Sequence, residues 1–112
     1  MAISFEPIFQ ASPNDAAILN VLQPGVGVFY AIRSLSVVNI SSDIAYFRIY
    51  HDIDGTSFGT ANAVFPYDCP LAAGEAKVYN DLFICVANPG AMAVRSSVAS
   101  AFVFTAWGVR RT

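Results

Sequence analysis

The chain has 112 residues, which is the length of a single domain, and its net charge at pH 7 is −2. Charged residues make up only 12% of it, about half the usual share, and no basic cluster exists beyond Arg110-Arg111, which argues against nucleic acid as a direct partner. Because hydrophobic residues make up 55%, the chain is a membrane protein, an unusually apolar monomer, or a protein whose surface is buried against other chains.

The pattern of the sequence argues against a membrane protein. The longest apolar region, residues 16–32, is interrupted by polar residues, a proline and two glycines, and no stretch approaches the roughly 20 apolar residues that a spanning helix needs. The N-terminus MAISFEPIF lacks the basic segment and the apolar core of a secretory signal, so we expect none. We therefore interpret the low charge as a sign of surface that is buried against other chains.

Strand signals dominate the chain, and the only helix-like start, at residues 14–19, runs into Pro24-Gly25 within two turns. The predicted strands are residues 3–9, 17–22, 28–40, 44–51, 63–67, 75–79, 82–86, 92–98 and 102–109. In the third of them, Val37-Val38 breaks the alternation and predicts a bulge. So many short strands predict an all-β fold, an antiparallel β-sandwich that is jelly-roll-like, for residues 13–112.

Residues 1–12 differ from the rest of the chain. They overlap the segment SFEPIFQASP, which has two prolines and no tight turn into the next strand. Such a segment is either a first strand or an extended N-terminal arm that adds to a neighbouring molecule, and the sequence leaves both alternatives open.

The last two predicted strands, joined by a turn at Ala99-Ser100, are expected to form a closing hairpin. The final strand has apolar residues on both faces and must be covered on both, whereas a chain of this length builds one two-layer core that covers one face. The predicted subunit interface therefore comprises Val103, Thr105, Trp107 and Val109, with Tyr46 and Tyr50 alongside. An arginine on an apolar strand usually has a carboxylate partner, so Arg33, Arg48 and Arg95 are predicted to form interfacial ion pairs.

No segment has the spacing of a catalytic or metal site, so we expect no enzyme, no cofactor and no metal. The D-x-D-G segment that starts at Asp52 lacks the later bidentate acid of a calcium loop and is interpreted as a turn. His51 and Asp52 are adjacent on a strand and point to opposite faces, and no G-x-S-x-G motif is present. Cys69 and Cys85 fit no zinc spacing, and we expect both to remain thiols, with Cys85 buried. The many aromatic residues could form a sugar-binding platform, although core and interface positions are the more usual reason for them.

From Ile32 onward, turn and core motifs recur in the segments IRSLSVVNISSDIAYFRIYHDIDGTSFGTANAVF, CPLAAGEAKVY and GAMAVRSSVASAFVFTAWGV. In these segments the chain resembles small structural proteins of tailed bacteriophages. The resemblance implies a capsid decoration (cement) protein: a homotrimer, made in the host cytoplasm, that sits on the major capsid protein at the surface of the virion. No nucleic acid or membrane partner is expected.

In such a protein the N-terminal arm would clamp the capsid lattice, with predicted capsid contacts at Ile3, Phe5, Pro7 and Phe9. The resemblance leaves open a tail, baseplate or fibre module, including a receptor-binding or carbohydrate-binding one. A free-standing carbohydrate-binding module is a further alternative.

Overall fold

The computed structural model describes residues 3–112, with the side chains from Ser4 onward. Its strands are β1 (Ile3–Ala11), β2 (Leu19–Leu22), β3 (Phe29–Asn39), β4 (Ala45–Asp52), β5 (Cys69–Leu71), β6 (Ala76–Tyr79), β7 (Ile84–Ala87), β8 (Ala91–Ser96) and β9 (Phe102–Arg111). A single 3₁₀ turn, Thr60–Asn62, lies between β4 and β5. The described residues contain no helix that is long and apolar enough to span a membrane.

The strands form two antiparallel sheets. Sheet A has the order β1-β9-β3-β6, and β7 pairs with the same edge of β3, opposite its first four residues. Sheet B has the order β2-β8-β4-β5. The pairs are nested along the chain, β1 with β9, β2 with β8, β3 with β6 and β7, and β4 with β5, so the fold is the predicted all-β, jelly-roll-like sandwich.

The core lies between the inner faces of the two sheets. Alternate residues of each strand point into it, as the period of a strand requires. Phe47 of sheet B meets the edges of two sheet A rings, Phe102 at 5.6 Å and Phe104 at 6.1 Å between ring centroids. All three side chains are almost completely buried, so this aromatic cluster ties the two layers together.

The predicted closing hairpin is wrong. β8 pairs with β2 and β4 in sheet B, whereas β9 pairs with β1 and β3 in sheet A, and residues 97–101 cross between the layers. Ser100 has a φ of 56°, and the amide of Ser100 donates to the carbonyl of Pro13 at 2.8 Å. A short polar turn serves a crossover as well as a hairpin, and the two strands bury their inner faces in the same core from opposite sides.

Two further local predictions are corrected. Residues 63–67 form no strand apart from a bridge between Ala63 and Tyr50, because their aromatic side chains pack separately: Phe65 stacks on Tyr79 at 4.0 Å, while Tyr67 packs against Tyr50. The bulge of β3 lies between Ile32 and Ser34, not at Val37-Val38, where Val37 is buried in the core and Val38 is half-buried on the other face.

The described part of the expected N-terminal arm is β1, the edge strand of sheet A. It pairs with β9 along most of its length, so it is no free extension in this structure. A second bulge, between Pro7 and Phe9, interrupts its alternation. As a result Ile8 and Phe9 pack against the core, whereas Phe5 points outward and is 74% exposed.

Candidate interface and arginine cleft

The outward side of sheet A is a candidate interface, here called the sheet A outer face. It brings together all four residues that were predicted on the final strand. Its members, from β1, β9, β3, β6 and β7, are Phe5, Pro7, Gln10, Val103, Thr105, Trp107, Val109, Ala31, Ser34, Ser36, Val38, Ala76, Val78 and Cys85. None of these side chains carries a charge at neutral pH, but the same side of sheet A also carries two arginines, Arg33 at the β3 bulge and Arg111 at the end of β9.

Trp107 lies near the centre of this face. It is flanked by Pro7 of β1 and Ser34 of β3, and it is half-buried within the single chain. Gln10 donates to Thr105 at 3.2 Å, so the polar groups of the face are partly satisfied by one another. An aromatic residue surrounded mainly by apolar and small polar groups is the composition found at the centres of protein interfaces.

Tyr46 and Tyr50 do not join this face, because β4 belongs to sheet B on the opposite side of the molecule. Tyr46 is 42% exposed there. Tyr50 is fully buried beneath residues 53–68, with its ring 6.0 Å from that of Phe58 and its hydroxyl 3.0 Å from that of Tyr67. The predicted outward direction of both side chains is correct, but their position alongside the final strand is wrong.

The predicted capsid contacts divide between two environments. Phe5 and Pro7 lie on the sheet A outer face beside Val109 and Trp107, whereas the bulge turns Phe9 toward the core. The side chain of Ile3 lies outside the described residues. The structure therefore joins two predicted contact residues to the predicted subunit interface and packs the third, which is half-buried, against the core.

Arg48 finds its carboxylate partner within its own chain. Its Nε and Nη2 donate to the two oxygens of Asp68 at 2.6 and 2.9 Å, and its guanidinium lies 3.8 Å from the centroid of the Tyr67 ring. The hydrogen bond from Arg48 lowers the pKa of Asp68 and raises the pKa of Arg48. The carboxylate partner expected for Arg48 is therefore supplied by its own chain, and this ion pair needs no second subunit.

The other two arginines have no ion pair among the described residues. Arg33 is exposed at the β3 bulge, with its guanidinium 5.6 Å from the centroid of the Phe83 ring. Arg95 pairs in register with Arg48 across β8 and β4, and its Nε donates to the carbonyl of Ala16 at 2.9 Å. For both, an interfacial ion pair stays a prediction.

An open cleft of about 370 Å³ lies on the outward side of sheet B. It is lined by Tyr46, Arg48, Asp68, Arg95 and Ser97, and we call it the arginine cleft. Sequence reasoning missed Asp68 and Ser97, since both lie just outside strands and reach the arginines only through the register of β4 with its neighbours. Of the residues in the cleft, only the two arginines and Tyr46 could be recognised from the sequence, because they are polar positions on otherwise apolar strands.

The region around Asp52 is a loop, as predicted. The Asp52 carboxylate accepts hydrogen bonds from the amides of Asp54 at 3.0 Å and Ser57 at 2.9 Å, and these bonds lower the pKa of Asp52. Burial lowers the pKa of the neighbouring His51. In the part of the chain that the structure describes, no three acidic, histidine or cysteine side chains converge as a metal site would require.

Cys85, which was expected to be buried, is only partly so. Cys69 is buried at the start of β5, whereas Cys85 is half-buried on the sheet A outer face, and both are free thiols.

Comparison with solved structures gives matches over nearly the whole chain. A chain of the infectious bursal disease virus VP2 subviral particle matches with a TM-score of 0.53 at 10% identity, over 97% of this chain and 32% of that one. The T13 particle of the same virus gives a TM-score of 0.53 at 7% identity, over 97% and 30%. Endospore appendages of Bacillus, described as disulfide-linked pili, give 0.51 at 12%, over 99% and 88%.

These likenesses show the fold: the chain has a β-sandwich of the kind found in a viral particle and in a pilus. It spans about a third of the length of the viral chains and most of the length of the appendage chain. No model of a known protein family and no curated protein matches the sequence. The assignment to tailed bacteriophages therefore stays a prediction from the sequence motifs.

Proposed function

We propose that the chain is a virion structural protein, a capsid decoration (cement) protein that forms a homotrimer through the sheet A outer face and stabilises the lattice of the major capsid protein. Its fold, shared with proteins of a viral particle, supports this role at a coarse level. The low charge content supports burial against other chains. No step of this function requires catalysis or a cofactor.

The observation that carries the proposal is the largely uncharged sheet A outer face with Trp107 near its centre. Scattered apolar residues on a surface are ordinary, but a continuous face of mostly uncharged residues across several strands marks a place where another molecule binds. Tryptophan is the residue type that most often dominates the free energy of association at such places.

The first experiment measures the mass of the protein and of Trp107→Ala by light scattering after size exclusion. A wild-type trimer has three times the chain mass of 12.0 kDa. We expect the substitution to weaken association by at least about 2 kcal/mol, or roughly 30-fold in the dissociation constant, and to release monomers at micromolar concentration. The control is Ile53→Ser, an exposed apolar residue on the loop over sheet B, which should leave the mass unchanged. A variant that stays trimeric overturns the interface.

A second variant separates lost association from lost folding. Val103 is half-buried on the same face, and a lysine there could extend its ammonium group into solvent from a monomer but not from a closed interface. We expect Val103→Lys to be a folded monomer with an unchanged circular dichroism spectrum. A trimeric Val103→Lys would show that the interface lies elsewhere.

The capsid contact is tested at Phe5. Deletion of residues 1–10 is no clean test, because it removes β1 from sheet A and exposes the edge of β9. Phe5→Ser keeps the strand and removes only an exposed aromatic side chain. Because Phe5 lies on the edge strand, at the margin of the proposed trimer interface, we expect this variant to remain trimeric and to lose co-sedimentation with capsids of the virus that encodes the chain. Retained co-sedimentation contradicts the contact.

A tail, baseplate or fibre module would use the same oligomeric sandwich. Immunogold labelling of intact virions separates the two locations, since a decoration protein labels the whole head surface and a tail component labels one vertex or the tail.

A second candidate is a subunit of a self-assembling filament. The likeness to the Bacillus endospore appendage chain favours it, because this chain covers 88% of that one and the two are therefore of similar size. Decoration requires a closed oligomer, whereas a filament requires a head-to-tail contact that does not close. Negative-stain microscopy of concentrated protein separates them: discrete trimers support decoration, and open-ended fibres support the filament.

A further inference from the structure

The arginine cleft lies on the side of the molecule opposite the sheet A outer face, so the proposed trimer interface does not account for it. It is lined by Tyr46 and Arg48 of β4, Arg95 of β8, Ser97 just after β8 and Asp68 just before β5. Two arginines and one aspartate give the lining a formal charge of +1. In a chain with so few charged residues, three of them converge here.

The two arginines are placed directly opposite each other on paired strands, an arrangement that destabilises a sheet unless the charge is compensated. The only carboxylate in the lining, Asp68, is engaged by Arg48 through both of its oxygens. Arg95 uses only its Nε, toward the carbonyl of Ala16, and its two terminal amino groups have no hydrogen-bond acceptor among the described residues. A planar pair of such donors fits a carboxylate.

The remaining groups of the cleft suit hydroxyls and a ring. The Oγ of Ser97 accepts a hydrogen bond from the amide of Tyr46 at 2.9 Å, so its own hydroxyl hydrogen is available to donate. Asp68 is 46% exposed at the side chain and keeps lone pairs for hydroxyl donors. Tyr46 offers a half-exposed aromatic ring as a wall. The volume, about 370 Å³, is enough for a monosaccharide.

The charge of Asp68 decides between classes of anion. A phosphate dianion bound to Arg95 would lie near this carboxylate and be repelled, whereas a singly charged carboxylate that also carries hydroxyls would use it as an acceptor. We propose that the arginine cleft binds an acidic sugar of the uronic acid type, with Arg95 as anchor for the carboxylate and Asp68 and Ser97 as partners for ring hydroxyls.

The proposal is tested by titrating glucuronate into ¹⁵N-labelled protein and following the amide signals of the residues around the cleft. We expect saturable shifts with a dissociation constant on the order of 1 mM, as a small and open site allows. Glucose, which lacks the carboxylate, and acetate, which lacks the hydroxyls, should each bind at least about tenfold more weakly. Inorganic phosphate should shift the cleft signals less than glucuronate does.

The variant Arg95→Lys keeps the charge but not the planar pair of donors, and we expect it to weaken glucuronate binding about tenfold. Arg33→Lys is the matched control, since Arg33 is exposed on the other sheet, and its affinity should equal that of the wild type. No shift with glucuronate, equal affinity for acetate or phosphate, or unchanged binding by Arg95→Lys would each overturn the proposal. None of these outcomes depends on the oligomeric state, so this experiment tests the ligand site independently of the proposed trimer.

Discussion

Gly108 is the position where a single added methyl group should damage the fold most. It lies in β9 beside the level where both neighbouring strands bulge, β1 between Pro7 and Phe9 and β3 between Ile32 and Ser34. A Cβ at Gly108 would lie 2.0 Å from the carbonyl oxygen of Ala31 and 3.1 Å from the Cα of Ile32. The obstacle is backbone, so no side chain can rotate to make room.

The magnitude follows from this geometry. A carbon and a carbonyl oxygen rest at about 3.3 Å or more, so β3 would have to retreat by about 1 Å from β9, which is enough to break nearby ladder hydrogen bonds. Overpacking that side chains can absorb costs about 1–3 kcal/mol. Because backbone must move here, we expect Gly108→Ala to cost about 3 kcal/mol or more, which lowers the melting temperature by about 10 °C or more for a chain of this size.

Thermal and urea unfolding, followed by circular dichroism at equal protein concentrations, measure this loss. The control is Gly25→Ala, where the added methyl group meets nothing within 4 Å and the backbone is not left-handed. We expect the control to stay within about 0.5 kcal/mol of the wild type. If Gly108→Ala also stays within about 1 kcal/mol, the close approach of β3 to β9 is refuted.

Three more substitutions probe buried and titrating groups. Asn39 is fully buried and donates to the carbonyls of Leu71 and Asp43 at 2.8 and 2.9 Å. Asn39→Asp should therefore cost about 3 kcal/mol of stability at neutral pH, and less in acid, where the protonated carboxyl can donate a hydrogen bond. A urea midpoint equal to that of the wild type at neutral pH contradicts this prediction. Burial lowers the pKa of His51 below its ordinary 6.5, so the folded state binds fewer protons than the unfolded state, and the stability of the protein should fall as the pH drops below that value. In His51→Gln the urea midpoint should change less with pH than in the wild type between about pH 7.5 and pH 5.5. The hydrogen bond from Arg48 lowers the pKa of Asp68 below 3.8. The wild type should therefore be more stable to unfolding than Asp68→Asn above pH 3.8, and this difference in stability should vanish as the pH falls through the folded-state pKa. A difference in stability that persists in strong acid contradicts the ion pair.

Periodicity predicted most of the strands and the direction of their side chains, because alternation is a local property. Ala45, Phe47 and Ile49 point into the core and Tyr46, Arg48 and Tyr50 away from it, as their spacing indicates. The pairing of strands was harder to predict, since a turn such as Ala99-Ser100 has the same residues whether it closes a hairpin or crosses between sheets.

A bulge explains why the direction of the Phe9 side chain was predicted wrongly. One extra residue in β1 turns Phe9 toward the core, although its spacing from Phe5 and Pro7 suggests a common face.

Asp68 could not be predicted as the partner of Arg48, because the two residues are 20 positions apart and meet only through the loop that covers sheet B. A local pattern contains no information about such contacts.

The distribution of charge over the two outward faces bears on why the chain has so little of it. An apolar monomer would show the deficit on both sides of the sandwich. Instead sheet B carries Arg48, Arg95 and Asp68 on its outward side and is partly covered by residues 53–68, whereas on the outward side of sheet A the strand positions around Trp107 are uncharged apart from Arg33 at the β3 bulge. Two of the most exposed apolar residues elsewhere, Val26 and Ile53, each lie alone in a loop. A shortage of charge concentrated on one face is what burial of that face in an assembly would select, because a charge there would lose its hydration without gaining a partner.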